Sequence, residues 1–126
     1  MTDVIRIANC SGYYGDRLDA AREMVEGGPI DVLTGDYLAE LTMSILFAQK
    51  QARGEQMGYV GTFLKQLEDV ARACAEKNIK IVVNAGGLNP RAMAEAAAWM
   101  MRMGGFWTGK MEALERQLLE ATKPAS

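Results

Sequence analysis

Short β-branched runs alternate along this chain with longer stretches of helical periodicity. VIRIA at 4–8 reads as a first strand, followed by the polar loop NCSGYYG at 9–15. Asp16 stands where a helix N-cap is needed, with Asp19 in the first turn near the positive end of the helix dipole. Leu18, Ala21 and Val25 share one face of that helix, and Gly27, Gly28 and Pro29 stop it. A second strand, IDVL at 30–33, breaks at Thr34, Gly35 and Asp36. Asp36 is the next candidate N-cap, opening a helix that reaches residue 51. Leu38, Leu41, Thr42, Ile45, Leu46 and Gln49 recur in it at helical spacing, and Met43 and Phe47 widen its apolar surface. Residues 52–58 are polar, contain two glycines and read as a loop.

The strongest period comes next. Tyr59, Val60, Phe63, Leu64, Leu67, Val70, Ala71 and Cys74 form one helical stripe, while Lys65, Glu68, Asp69 and Arg72 fall on the opposite side. Asn78 ends this helix, IKIVV at 79–83 is the third and most apolar strand, and the loop NAGGLN occupies 84–89. Asn89 before Pro90 suits an N-cap with proline at the first helical position. This alternation predicts an α/β fold: a parallel sheet of three strands or slightly more, helices on both faces, Rossmann- or flavodoxin-like in outline. Right-handed crossovers would gather every strand-to-helix loop at one edge of the sheet. There is no internal repeat and no low-complexity tract.

Composition narrows the chemistry. A chain of 126 residues suits one compact domain, and 49% hydrophobic content is enough for a core. The 14 basic and 16 acidic residues leave a net charge of -2, with no footprint for nucleic acid or an anionic membrane. There is no histidine, which removes Ser-His and Cys-His catalysis and His-bearing metal sites from the chain's own repertoire; no metal site is expected. Cys10 and Cys74 belong to no C-x-x-C pair, and the N-terminus lacks the basic and apolar regions of a signal peptide. Both features point to a reducing, cytoplasmic setting. No window approaches ~18 consecutive apolar residues, so no membrane-spanning helix is expected.

Ligands of open α/β sheets bind beyond the carboxyl ends of the strands. The candidate ligand residues are Asn9, Ser11, Gly12 and Asp16 after the first strand, and Thr34 and Asp36 after the second. Asn84, Gly86, Gly87 and Asn89 complete the set after the third. Glycine lets backbone amides approach a ligand, and amides at helix N-termini suit phosphate or carboxylate, so an anionic or thioester small molecule is the expected partner. Each loop also reads as ordinary turn chemistry. The first loop lacks the G-x-G-x-x-G fingerprint, and no Walker lysine is present. Asp16 and Asp36 fit acid–base or metal work on one reading and helix capping on the other. Cys10 is either a nucleophile or a small packing residue, Cys74 on its apolar stripe reads as core, and Tyr13 and Tyr14 either flank a ligand or cover the sheet end. Neither a catalytic residue nor a cofactor can be assigned from these residues.

Four long strings resemble the acyclic terpene utilisation family. They are IRIANCSGYYGDR at 5–17, EMVEGGPIDVLTGDYLAELTM at 23–43, GYVGTFLKQLEDV at 58–70 and IKIVVNAGGLNPRAMAEA at 79–96. The resemblance covers roughly three quarters of the chain, in order and with matching spacing, and the strings coincide with the strand-end loops. It implies a protein associated with bacterial breakdown of citronellol- and geraniol-type terpenes, a pathway run on acyl-CoA thioesters. It also implies members several times longer than this chain. No catalytic role carries over.

Beyond Ala98 the sequence departs from that pattern. The stretch 92–103 is apolar nearly all round, which suits either ordinary core or a partner surface, and no fourth strand is readable. An amphipathic helix is expected at 110–122, with Met111, Leu114, Leu118 and Leu119 on its stripe. The expected organisation is a βα region at 1–98 and a divergent helical segment at 99–126 within one domain, a truncated N-terminal portion of the family. Two functions follow. One is a ligand-binding domain for an acyl-CoA-type intermediate of terpenoid catabolism. The other is a non-catalytic interaction module or inactive remnant, pairing through an open sheet edge as a homo-oligomer or with a completing chain.

Overall fold

In the computed structural model, which describes residues 3–103 and Glu120, the β-branched runs pair as a parallel sheet. The elements are β1 (Ile7–Asn9), α1 (Ala20–Glu26), β2 (Val32–Gly35), α2 (Glu40–Arg53), α3 (Thr62–Glu76), β3 (Lys80–Val83) and α4 (Pro90–Met103). Of the helix expected at 110–122, only Glu120 falls among the described residues. Strand order is β1-β2-β3, with Ile7 opposite Val32 and Val32 opposite Lys80, and Asn9 opposite Thr34 and Thr34 opposite Val82. The first strand starts three residues later and ends one later than its hydrophobic run suggested, and the second is displaced by two. At the start of the pairing the Asp31 carboxylate takes the amide of Arg6, while the Arg6 carbonyl accepts the backbone amides of Asp31 and Val32.

The expected three-stranded parallel α/β fold is what the chain adopts. The helices, however, do not divide between two faces among the described residues. A sheet that grows in one direction with crossovers of one hand keeps its connections on one side. Accordingly α1 packs on α3, and α3 packs on α4. Side chains alternate across the strands, so Ala8, Leu33 and Ile81 meet the helices while Ile7, Val32 and Val82 face away. Ile7 is 65% exposed and Val82 61%, so among the described residues this partly apolar sheet face is left bare.

Two buried clusters hold the helical side. Cys10, Ala21, Val25, Leu33, Val70, Cys74 and Ile79 pack α1 and α3 onto the sheet. Tyr37, Leu46, Val60, Phe63, Leu67, Ala71, Ala85, Ala97 and Met101 join α2, α3 and α4. The α3 stripe is buried at Phe63, Leu67, Val70, Ala71 and Cys74 as its period predicts, and also at Gln66, which the apolar pattern alone does not mark. Tyr59 and Val60 precede the helix, although Val60 is fully buried. Asn78 closes α3 in the left-handed region at φ 58°, a conformation asparagine tolerates at a helix end.

The loop after β3 is fixed from two sides. The amide of Val60 donates to Ala85 O at 2.8 Å, and that of Leu88 donates to Gly58 O at 2.8 Å. Gly87 has φ +53°, and a Cβ there would lie 2.6 Å from Leu46 Cδ1 and 2.9 Å from Gly58 O. Only glycine meets both the backbone angle and the close approach.

Candidate functional site

The carboxyl ends of three parallel strands bring the three candidate loops to one edge, but they are not equivalent there. Five of the ten expected residues form a connected group. The Asn9 amide donates to Ser11 O at 2.9 Å, and the Asp36 backbone amide donates to the same carbonyl at 2.9 Å. The Thr34 hydroxyl reaches Ala8 O at 3.3 Å and Asn9 Oδ1 at 3.4 Å. Asn84, 48 residues beyond Asp36, donates from Nδ2 to Asp36 Oδ1 at 2.8 Å and accepts the Tyr37 backbone amide on Oδ1 at 2.8 Å. Asn9, Ser11, Thr34, Asp36 and Asn84 therefore span all three strand ends. Ser11 is buried, whereas Asn9, Asp36 and Asn84 are exposed.

Gly12 and Asp16 close the first loop upon itself. Asp16 accepts the amide of Gly12 at 2.9 Å on one oxygen and that of Arg17 at 2.8 Å on the other. These two amides, that of Gly12 foremost, hold the Asp16 carboxyl below the ordinary carboxylate range. The chain's own carboxylate occupies the backbone donors that an incoming anion would need. Capping, the expected structural role of Asp16, is corrected: α1 begins at Ala20, and its N-cap is Asp19, which makes no side-chain capping bond. Leu18 lies ahead of the helix and is exposed.

Asp36 likewise does not cap α2. That helix starts at Glu40 with Ala39 as N-cap, because Tyr37 first turns inward and takes the chain with it. The carboxylate of Asp36 is committed to Asn84 and, at 3.4 Å, to the amide of Leu38. The Asn89 expectation does hold: its Oδ1 accepts the amide of Ala92 at 3.2 Å, with Pro90 opening α4. Its Nδ2 donates to Glu55 O at 2.7 Å and Met57 O at 3.1 Å. Gly86 is buried against Pro90, so Gly86, Gly87 and Asn89 dock the β3 loop onto residues 55–60.

Cys10 is 3% exposed, and burial pushes its thiol above the ordinary value; its Sγ lies 3.8 Å from the Tyr37 hydroxyl. A buried thiol held in its neutral form is poorly disposed to act as a nucleophile. Cys74 is core, as expected. Tyr14 packs against the α2–α3–α4 cluster, and Tyr13 is 61% exposed. Sequence reasoning missed Tyr37 and Gln66. The Tyr37 hydroxyl donates to Gln66 Oε1, and Gln66 Nε2 donates to Arg17 O at 3.4 Å. The signal was a glutamine inside the most regular apolar stripe of the chain.

No cation sits in the three loops 9–16, 34–36 and 84–89. The adjacent Arg17 is paired with Asp19 and Glu23. Among the described residues, no group of three His, Cys, Asp or Glu side chains is placed to hold a metal ion, and no helix is long and apolar enough to cross a membrane.

These features define a small parallel α/β protein whose exposed polar side chains converge at the strand ends. The chain matches the family described as acyclic terpene utilisation family protein AtuA over residues 5–116, running past Ala98, and it belongs to that family. Comparison with curated proteins and with solved structures gave no match.

Proposed function

We propose that the strand-end group of Asn9, Ser11, Thr34, Asp36 and Asn84 is a small-molecule site, and that the chain is a ligand-binding domain serving terpenoid catabolism. The observation that carries this reading is the hydrogen-bonded convergence of residues from all three strand ends, with Asn9, Asp36 and Asn84 exposed at its rim. Its chemistry favours the thioester carbonyl or a hydroxyl of an acyl-CoA-type intermediate over the phosphates. Side-chain amides serve neutral polar groups, whereas a phosphate here would meet Asp16 and Asp36 with no cation in the loops. The test is chemical-shift mapping with a short acyl-CoA and, separately, with the matching simple thioester. Shifts at loops 9–16, 34–36 and 84 with both compounds are the expected result. Shifts confined to the amino ends of the strands would overturn the reading.

The second reading is an interaction module. β1 and β3 are the outer strands, and Trp99 and Met103 on α4 are 64% and 68% exposed. Outer strands that pair with no further strand among the described residues offer backbone donors and acceptors to another chain. Sedimentation of the 1–126 chain separates the readings: a concentration-dependent shift above monomer mass favours the module, and a monomer at all concentrations removes it.

A further inference from the structure

Gln66 lies in the packed stripe of α3 and is 2% exposed. An apolar residue there would be buried without any hydrogen-bonding requirement, whereas a carboxamide is tolerated only if its polar ends are met. Both ends are met, by Tyr37 and by the Arg17 carbonyl. Tyr37, also 2% exposed, is held at its ring by an edge contact with Phe63, centroids 6.0 Å apart. Its backbone amide is held by Asn84, which also reaches Asp36. An unbroken chain of contacts therefore runs Arg17–Gln66–Tyr37–Asn84–Asp36. It joins the three strand-end loops through one helix that is not part of any of them.

We propose that Gln66 and Tyr37 are positioning residues that hold the three loops in a single arrangement, so that a disturbance at the β3 loop reaches the β1 loop. The purpose of this coupling rests on the ligand-site reading, but its test needs no ligand, so the two can fail separately. Buried hydrogen-bond networks act as units, and pairwise non-additivity is the measurable sign.

The experiment is amide hydrogen exchange on the full chain for the native protein, Asn84→Ala, Gln66→Leu and the double variant. Asn84→Ala is expected to raise exchange at Gly12 and Arg17 several-fold. The double variant is expected to be no faster there than the faster of the two single variants, because Asn84 feeds the Gln66 route as well as the direct link from Asp36 to Ser11. Native exchange rates at Gly12 and Arg17 in Asn84→Ala, or effects that simply multiply in the double variant, would overturn the proposal. Tyr37→Phe guards against misfolding of Gln66→Leu, since it keeps the ring against Phe63. It should reproduce the rise at Arg17 while the amides of β2 keep their native rates, and no rise at Arg17 would count against the coupling.

Discussion

The carboxylate of Asp16 accepts the backbone amide of Gly12 at 2.9 Å, closing the first strand-end loop around an internal anion. This contact carries a pH signature. The group's native value is depressed by the Gly12 and Arg17 amides, so its contribution to stability is present above the unfolded value of ~3.9 and is lost as pH falls through the lower native value. Carbon-detected titration of Asp16 should give a midpoint below ~3.9, and Asp16→Asn should flatten the acid limb of the stability profile. A midpoint at or above ~3.9 would show that the amides do not engage the carboxylate.

Alkaline pH acts on the core. Burial pushes the Cys74 thiol up to about 11, and the Cys10 thiol and Tyr37 phenol shift the same way for the same first cause. The neutral thiol is favoured in the folded state, so its contribution is intact below ~8.5 and is lost as pH rises from there through about 11. Urea midpoints should fall across that window, and Cys74→Ala should make the fall shallower. An equal slope in the variant would assign the loss to another group.

Gly87→Ala tests the docking of the β3 loop. The added Cβ meets Leu46 and the Gly58 carbonyl, and the backbone angle is strained for any L side chain. A loss of about 2 kcal/mol or more is expected from urea unfolding. Gly28→Ala, where a Cβ meets nothing within 4 Å, should stay within ~0.5 kcal/mol of the parent.

The bare sheet face predicts a change with little energetic cost. Val82→Lys alters a side chain that is 61% exposed, so stability should move by less than ~0.5 kcal/mol. Binding of a fluorescent apolar dye should fall, because an exposed apolar patch is its target. A large loss of stability would mean that Val82 is covered in solution.

What the sequence revealed was periodic, and what it hid was tertiary. The α3 stripe, the three strands, the Asn89–Pro90 helix start and the gathering of loops at one edge all follow from local patterns. The caps assigned to Asp16 and Asp36 were wrong, because a carboxylate near a helix start has other amides within reach. Asp16 took Gly12 and Arg17, and Asp36 took Asn84 across 48 residues. The bare face was equally invisible. It depends on the spatial order of the strands, and their hydrophobicity is the same whichever way the sheet grows. Gln66 was legible only as an interruption in an apolar stripe, and its partners lie 29 and 49 residues away.

The strand order has a geometric corollary. Because β1, β2 and β3 are laid down in one direction, the right-handed rule lets a crossover reach the bare face only by turning back past β1. A fourth parallel strand beside β1 would bring its helix over Ile7, Val32 and Val82. The same step would reverse the winding between β1 and its new neighbour, the arrangement in which α/β sheets open a crevice for ligands. That crevice would lie against the Asn9 loop. The bare side and the polar rim are thus linked, since one added unit would cover the first and deepen the second.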